Sequence, residues 1–242
     1  RSGSLKYTFD FKNIGEATEF CTVKAEGFKT ACASVSFMIP LSDEASIFAL
    51  IPNILTRSSE KYPTVTLLEK KLATLYGAEI AADVSKIGEN QVLKLAVACI
   101  DDRFALDNES IVTECCRVLF ELIFNPKFVN GTFDESEVES EKRLLAEQLG
   151  AEMSDKRTYA KNRLEEIMCE EELYGINRLG TVDKINAVTK ESLTDAYKKV
   201  LSTAKILVSV SANGNIKTEN IKNLFLEYAK GINDASRRLS EM

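Results

Sequence analysis

Ala31-Cys32-Ala33-Ser34-Val35-Ser36-Phe37-Met38-Ile39-Pro40-Leu41-Ser42-Asp43-Glu44-Ala45-Ser46-Ile47-Phe48-Ala49-Leu50-Ile51-Pro52-Asn53-Ile54-Leu55 changes its hydrophobic period once. Up to Ile39 the period is two, with Val35, Phe37 and Ile39 on one face, which predicts a strand. Beyond Ser42-Asp43-Glu44 the period is helical, and Ile47, Leu50, Ile51, Ile54 and Leu55 form one apolar stripe. Ser42 or Asp43 is the expected N-cap. Pro52 lies inside the stripe, where it removes a backbone donor; a kink or a restarted helix is expected there.

Working outward, Leu5 to Phe11 and Glu19 to Ala25 read as strands, with turns at Lys12-Asn13-Ile14-Gly15 and Glu26-Gly27. Tyr62-Pro63-Thr64 opens a second helix carrying Leu67, Leu68, Leu72 and Leu75, ended by Tyr76-Gly77. Strands Glu79 to Ser85 and Gln91 to Cys99 flank a linker, Lys86 to Asn90. Arg103 to Phe124 is expected as one helix closed by Asn125-Pro126. Asp134 to Cys169 is a long helical region, broken at Gly150 or Ser154-Asp155. Thr189 to Leu201 is helical, Lys205 to Ala212 is a strand, and Lys217 to Gly231 is a last helix. Strands and helices are partly segregated. This predicts an antiparallel or mixed sheet with helices packed on one face.

The chain of 242 residues contains no histidine, which removes the commonest neutral metal ligand and the usual acid–base group near pH 7. A Ser-His-Asp triad is impossible, and no Gly-rich phosphate loop is present. Hydrophobic residues are 45% and charged residues 28%, enough to bury a core. The net charge of -6 is spread along the chain and speaks against nucleic-acid binding. Apolar runs are too short to cross a bilayer, so no membrane partner is expected. No secretory signal is visible. Arg1-Ser2-Gly3-Ser4 reads as an expression remnant, leaving residues 5–242 as one α+β unit. Cys21, Cys32, Cys99, Cys115, Cys116 and Cys169 contain no Cys-x-x-Cys and read as reduced thiols of a cytoplasmic protein. Asn108-Glu109-Ser110 and Asn130-Gly131-Thr132 match the glycosylation pattern by coincidence on that reading.

Several segments, in order and spacing together, resemble the pitrilysin/insulinase family of zinc metallopeptidases, which includes the mitochondrial processing peptidases. They are Phe28-Lys29-Thr30 leading to Pro40-Leu41, Leu68-Glu69 to Leu75-Tyr76-Gly77-Ala78, and Asn125-Pro126. They continue with Phe133, Val138-Glu139-Ser140-Glu141-Lys142, Asp155-Lys156-Arg157-Thr158-Tyr159-Ala160, Gly180-Thr181-Val182 and Ile185 to Thr189. The likeness is strongest to non-catalytic bacterial members and covers roughly residues 20 to 230. Active relatives bind zinc through a His-x-x-Glu-His whose histidines share a helix face, with a glutamate on a later helix. The resemblance puts Leu50 and Ile54 at the histidines, Asn53 at the general base and Gln148 at the distal ligand. None of the four supplies the required chemistry, so no catalytic residue and no metal ligand is assigned. Core packing accounts for Leu50 and Ile54 equally well.

The resemblance also implies that Ile80, Ala81, Ala82, Asp83, Val84 and Ser85 form an edge strand to which a peptide adds by backbone pairing; an ordinary hairpin strand is the plainer reading. It further implies an α+β two-layer sandwich, with a mostly antiparallel sheet and helices packed on one face, and the N-terminal half of a longer subunit. The expected function is that of an inactive peptidase homologue that binds peptide and pairs with a homologous catalytic subunit, zinc being held only by that partner. Two alternatives stay open: an active metallopeptidase with a non-histidine site, for which Cys21, Cys32 and Cys99 are candidates, and a stand-alone peptide-binding scaffold. The glutamates of Glu135 to Glu141 and Glu165 to Glu172 read as solvated helix faces, neutralised in part by Lys142 and Arg143.

Overall fold

The computed structural model describes residues 7–106, 109–213 and 216–231. Residues 1–4, Leu5, Asn108 and the chain after Gly231, all named above, lie outside the described residues. The strands are β1 (Tyr7–Gly15), β2 (Thr18–Ala25), β3 (Thr30–Pro40), β4 (Glu79–Ile87), β5 (Asn90–Ile100) and β6 (Lys205–Ala212). They form a six-stranded sheet in the order β1-β2-β6-β3-β5-β4. Among the described residues only β2 and β6 pair in parallel; the remaining ladders are antiparallel.

The helices are α1 (Ala45–Leu55), α2 (Val65–Thr74), α3 (Ile111–Phe124), α4 (Glu135–Ser154) and α5 (Lys156–Met168). They continue with α6 (Val182–Asn186), α7 (Lys190–Thr203) and α8 (Thr218–Tyr228). Helices α1, α3 and α7 pack on the sheet. Its inner face is built by the expected alternation: Val35, Phe37, Leu93, Leu95, Ile206 and Val208 are buried in one core. Burying such side chains is worth roughly 1.5–3 kcal/mol each. Strand register places Ser34, Ser36, Ser209, Ala96 and Lys94 on the opposite face. The α+β sandwich with helices on one face therefore stands.

Several boundaries move. Lys12-Asn13-Ile14-Gly15 is not a turn but the end of β1, where an irregularity between Asn13 and Gly15 keeps the chain in register with β2. The linker Lys86 to Asn90 shrinks to Gly88-Glu89, because Gly88 takes the positive φ of 55° that a two-residue hairpin needs. The helix expected from Arg103 begins only at Ile111, after a short 3-10 turn, Asp102–Phe104, capped by Asp101. Asp155 ends α4 and caps α5, while Gly150 stays inside α4. Pro52 interrupts neither end of α1, which runs unbroken to Leu55. Its N-cap is Glu44, and Ser42 Oγ accepts from the Glu44 amide at 3.2 Å.

Candidate functional site

Helix α1 starts where Leu41 N–H is tied to Glu89 of the β4–β5 hairpin at 2.8 Å, so its first turn is fixed beside β4. Leu50 and Ile54 are 0% and 2% exposed. They lie in the same core as Ile51 and Leu55, and hydrocarbon fills the space around them. Asn53 is half-buried, and its carbonyl accepts from Thr56 Oγ1 at 2.8 Å. Gln148 is exposed on α4. The buried carboxylate that α4 turns toward the end of α1 is Glu141, whose Oε1 accepts from Arg57 Nε at 2.5 Å. One turn earlier, Glu137 accepts from Ser58 Oγ at 3.2 Å. These two glutamates are thus not part of a solvated face. Glu139 does follow expectation, pairing with Lys142 at 2.7 Å. Held by the Arg57 guanidinium, the Glu141 carboxylate presents no open coordination position.

Ile80, Ala81, Ala82, Asp83, Val84 and Ser85 all lie in β4, and β4 is an edge of the sheet. Ile80 and Val84 pack on the core, and α1 touches β4. The outer side of β4 is partly closed. Arg178 Nε donates to the Val84 carbonyl at 2.9 Å, and its guanidinium forks onto both carboxylate oxygens of Glu152 at 2.5 and 3.3 Å. The Arg178 backbone is fixed in turn by Gln91 Nε2, which donates to Arg178 O at 2.6 Å and to Ala45 O at 3.0 Å. Gln91 is fully buried, and its Oε1 is unpaired among the described residues. Gly180, at φ 72°, lets the segment after Arg178 close over Ser46, whose hydroxyl accepts from Thr181 N–H at 3.0 Å.

Beyond Val84 a cleft of 360 Å³ opens between Ser85-Lys86, α5 and Tyr174 to Arg178. Lys86 Nζ donates to Glu165 at 2.9 Å and to Tyr174 O at 2.7 Å, and lies 4.0 Å from the Tyr174 ring centroid. Burial pushes the Glu165 carboxyl up, but the hydrogen bond and charge of Lys86 outweigh it, and the net shift is downward. Helix α5 is turned inside out. Thr158, Asn162 and Glu165 face the cleft, while Tyr159, Leu164, Ile167 and Met168 are exposed.

The three candidate cysteines, Cys21, Cys32 and Cys99, do not converge on one point. Cys21 and Cys32 lie on strands separated by β6, and Cys99 pairs with Ala31 of the core face, one residue out of phase with Cys32. Among the described residues no group of three or more Cys, Asp or Glu is placed to hold a metal ion. Arg178, Glu152, Lys86 and Gln91 escaped the sequence reading. Arg178 is 94 residues from Val84 and 26 from Glu152, so no local pattern marks it.

No protein-family model matches the sequence. The chain is 27% identical over 227 residues, 93% of its length, to the probable inactive metalloprotease YmfF of Bacillus subtilis. A conserved protein of Enterococcus faecalis V583 superposes with a TM-score of 0.83 at 25% identity over 95% of the chain. The peptidase M16 inactive domain of Pseudomonas fluorescens superposes with a TM-score of 0.70 at 11% identity over 97% of the chain. The chain spans 53% of the length of each of these three. By sequence and fold together, the chain is a homologue of inactive M16-like metallopeptidases.

Proposed function

We propose that this chain is a non-catalytic, peptide-binding half-subunit that works in the cytoplasm beside a zinc-bearing homologous subunit in peptide or protein processing. One juxtaposition carries the reading. The helix that would hold the metal is packed with hydrocarbon, yet the strand beside it keeps an outer edge on which Ile80 and Ala82 have no hydrogen-bond partner among the described residues. Strand addition needs only such backbone groups. The partner half of the reading draws on α5, whose outward apolar side chains are of the kind a second protein surface covers.

Ala82→Pro tests the peptide half. In an antiparallel ladder a residue's N–H and C=O point to the same side. Val84 points its C=O outward to Arg178, so Ala82 points outward too. Proline there removes a donor the ladder with β5 does not use, which edge strands tolerate. The variant should fold as the parent does and lose peptide binding, read by fluorescence anisotropy; unchanged binding would defeat the reading. Mixing with a homologous His-x-x-Glu-His subunit tests the other half. Zinc-dependent peptidase activity should arise in the mixture, with the zinc on the partner. Stoichiometric zinc and cleavage by this chain alone would sink it, and peptide binding with no gain on mixing would favour a stand-alone scaffold.

A further inference from the structure

Arg178 lies across the one part of the β4 edge that leads to the cleft. The outward-facing residues of β4, by the alternation that Val84 fixes, are Ile80, Ala82, Val84 and Lys86. Ile80 and Ala82 each present an N–H and a C=O to solvent. The next carbonyl in the row, Val84 O, is already taken by Arg178 Nε at 2.9 Å. The arm is held at three places: by Val84, by the fork onto Glu152, and by Gln91 on its own backbone carbonyl. Glu152 and Arg178 are both largely shielded from solvent, so the arm is not a loosely waving surface side chain.

We infer that Arg178 is a register stop: a peptide added to β4 pairs with Ile80 and Ala82, and must end or turn aside at Val84, above the polar cleft. This rests on the peptide-edge reading and deepens it. The ligand class becomes a short extended segment next to a chain end or bend, rather than a long strand running the length of β4. Arg178 is a positioning residue in this scheme, since it competes with the peptide for one carbonyl.

The test is peptide length. Fluorescein-labelled Thr-Val repeats of about four to ten residues are titrated against the parent and Arg178→Ala. In the parent, affinity should stop rising once the Ile80–Ala82 row is covered. In Arg178→Ala the rise should continue for about two further residues, because the next outward-facing residue becomes free. The longer peptides should then bind about tenfold tighter, the modest net worth of an added pair of amide hydrogen bonds. The same length dependence in both proteins would overturn the inference while leaving the edge reading standing, provided Ala82→Pro still abolishes binding. Absence of binding to the parent at every length would overturn both. Circular dichroism checks folding. If Arg178→Ala does not fold, Arg178→Lys replaces it: lysine keeps a charge opposite Glu152 but cannot serve Glu152 and Val84 in a fork. It should show the same extension in weaker form, and parent-like length dependence there would again overturn the inference.

Discussion

Placing histidines in α1 at the two positions that the family resemblance aligns with metal ligands, as Leu50→His with Ile54→His, asks whether that part of the helix can open to a metal or is a filled core. Both aliphatic side chains are buried, at 0% and 2% exposure. Each replacement forfeits burial worth roughly 1.5–3 kcal/mol. Each also places an imidazole with no partner in hydrocarbon, a further cost of about 1–3 kcal/mol. Two sites together lose about 5–12 kcal/mol, comparable with the whole stability of a typical domain. At roughly 2–4 °C per kcal/mol for a chain of this size, the melting midpoint should fall by at least about 10 °C. Added zinc should not recover it, because Glu141 is engaged by Arg57 and the positions have no opening to solvent. The assay is thermal denaturation by circular dichroism with chelator and with equimolar zinc, alongside elemental analysis. Leu50→Ala serves as a control, at about 2–5 kcal/mol. A double variant that melts within a few degrees of the parent and carries one zinc per chain would refute the filled-core account.

Gly180→Ala should lower the unfolding free energy by more than about 1 kcal/mol, read by denaturant titration, since a Cβ there would meet Ser46 Oγ at 1.8 Å on a backbone with φ 72°; parent-like unfolding would show that the segment relaxes freely. The Lys86–Glu165 pair should give the acid limb of stability a definite sign. The folded-state Glu165 carboxyl is depressed, so its contribution is present above the unfolded glutamate range and is lost as pH falls through the folded value. Lys86→Met should flatten the fall of the melting midpoint below about pH 4–5; an unchanged slope would remove the pair from the account. In native thiol titration at alkaline pH, Cys32 is exposed and should react first. Cys99 is raised by its hydrogen bond to Cys115 and by burial, and Cys116 by burial, so both should stay blocked until the protein unfolds. Early labelling of Cys116 would mean that α3 opens locally.

Element type was legible wherever one side of the segment faced the core. The period-two face of β3 and the stripe of α1 are direct consequences of burial, so Val35, Phe37, Leu50 and Ile54 reported their own positions. Strand β6 was bounded correctly because Ile206, Val208 and Val210 alternate without interruption. Ends decided by side-chain hydrogen bonds were not legible. The 3-10 turn at Asp102 depends on Asp101 accepting from Arg103 N–H, and Asp102 in turn accepts from the Val112 amide at 2.9 Å. Those contacts delay α3, although the apolar spacing before Ile111 allowed helix. The buried glutamates of α4 misled for a related reason. A charged residue on an amphipathic helix reads as solvated, and only its distant partner, Arg57 for Glu141, makes it an inner one. The cleft and Arg178 were beyond reach because they join segments far apart in the chain.

The hydrocarbon of α1 and the edge of β4 are physically linked. Ile80, Ala82 and Val84 alternate toward α1, while β5 takes the inward-pointing backbone groups of the strand. The strand is thereby fixed from one face and one side, and its outer backbone row is what remains to bind anything. A metal site on α1 would need room and water at the same boundary. Leucine and isoleucine leave neither, and they belong to the same apolar core on which Ile80 and Val84 of β4 pack. On this view the apolar filling of α1 is part of what holds the strand flat for pairing. Leu50→Ala should therefore increase amide hydrogen exchange in β4 before it does so in β1, which lies at the far edge of the sheet and away from α1. Equal loss of protection in the two edge strands would break that link and leave the packing of α1 as general stability alone.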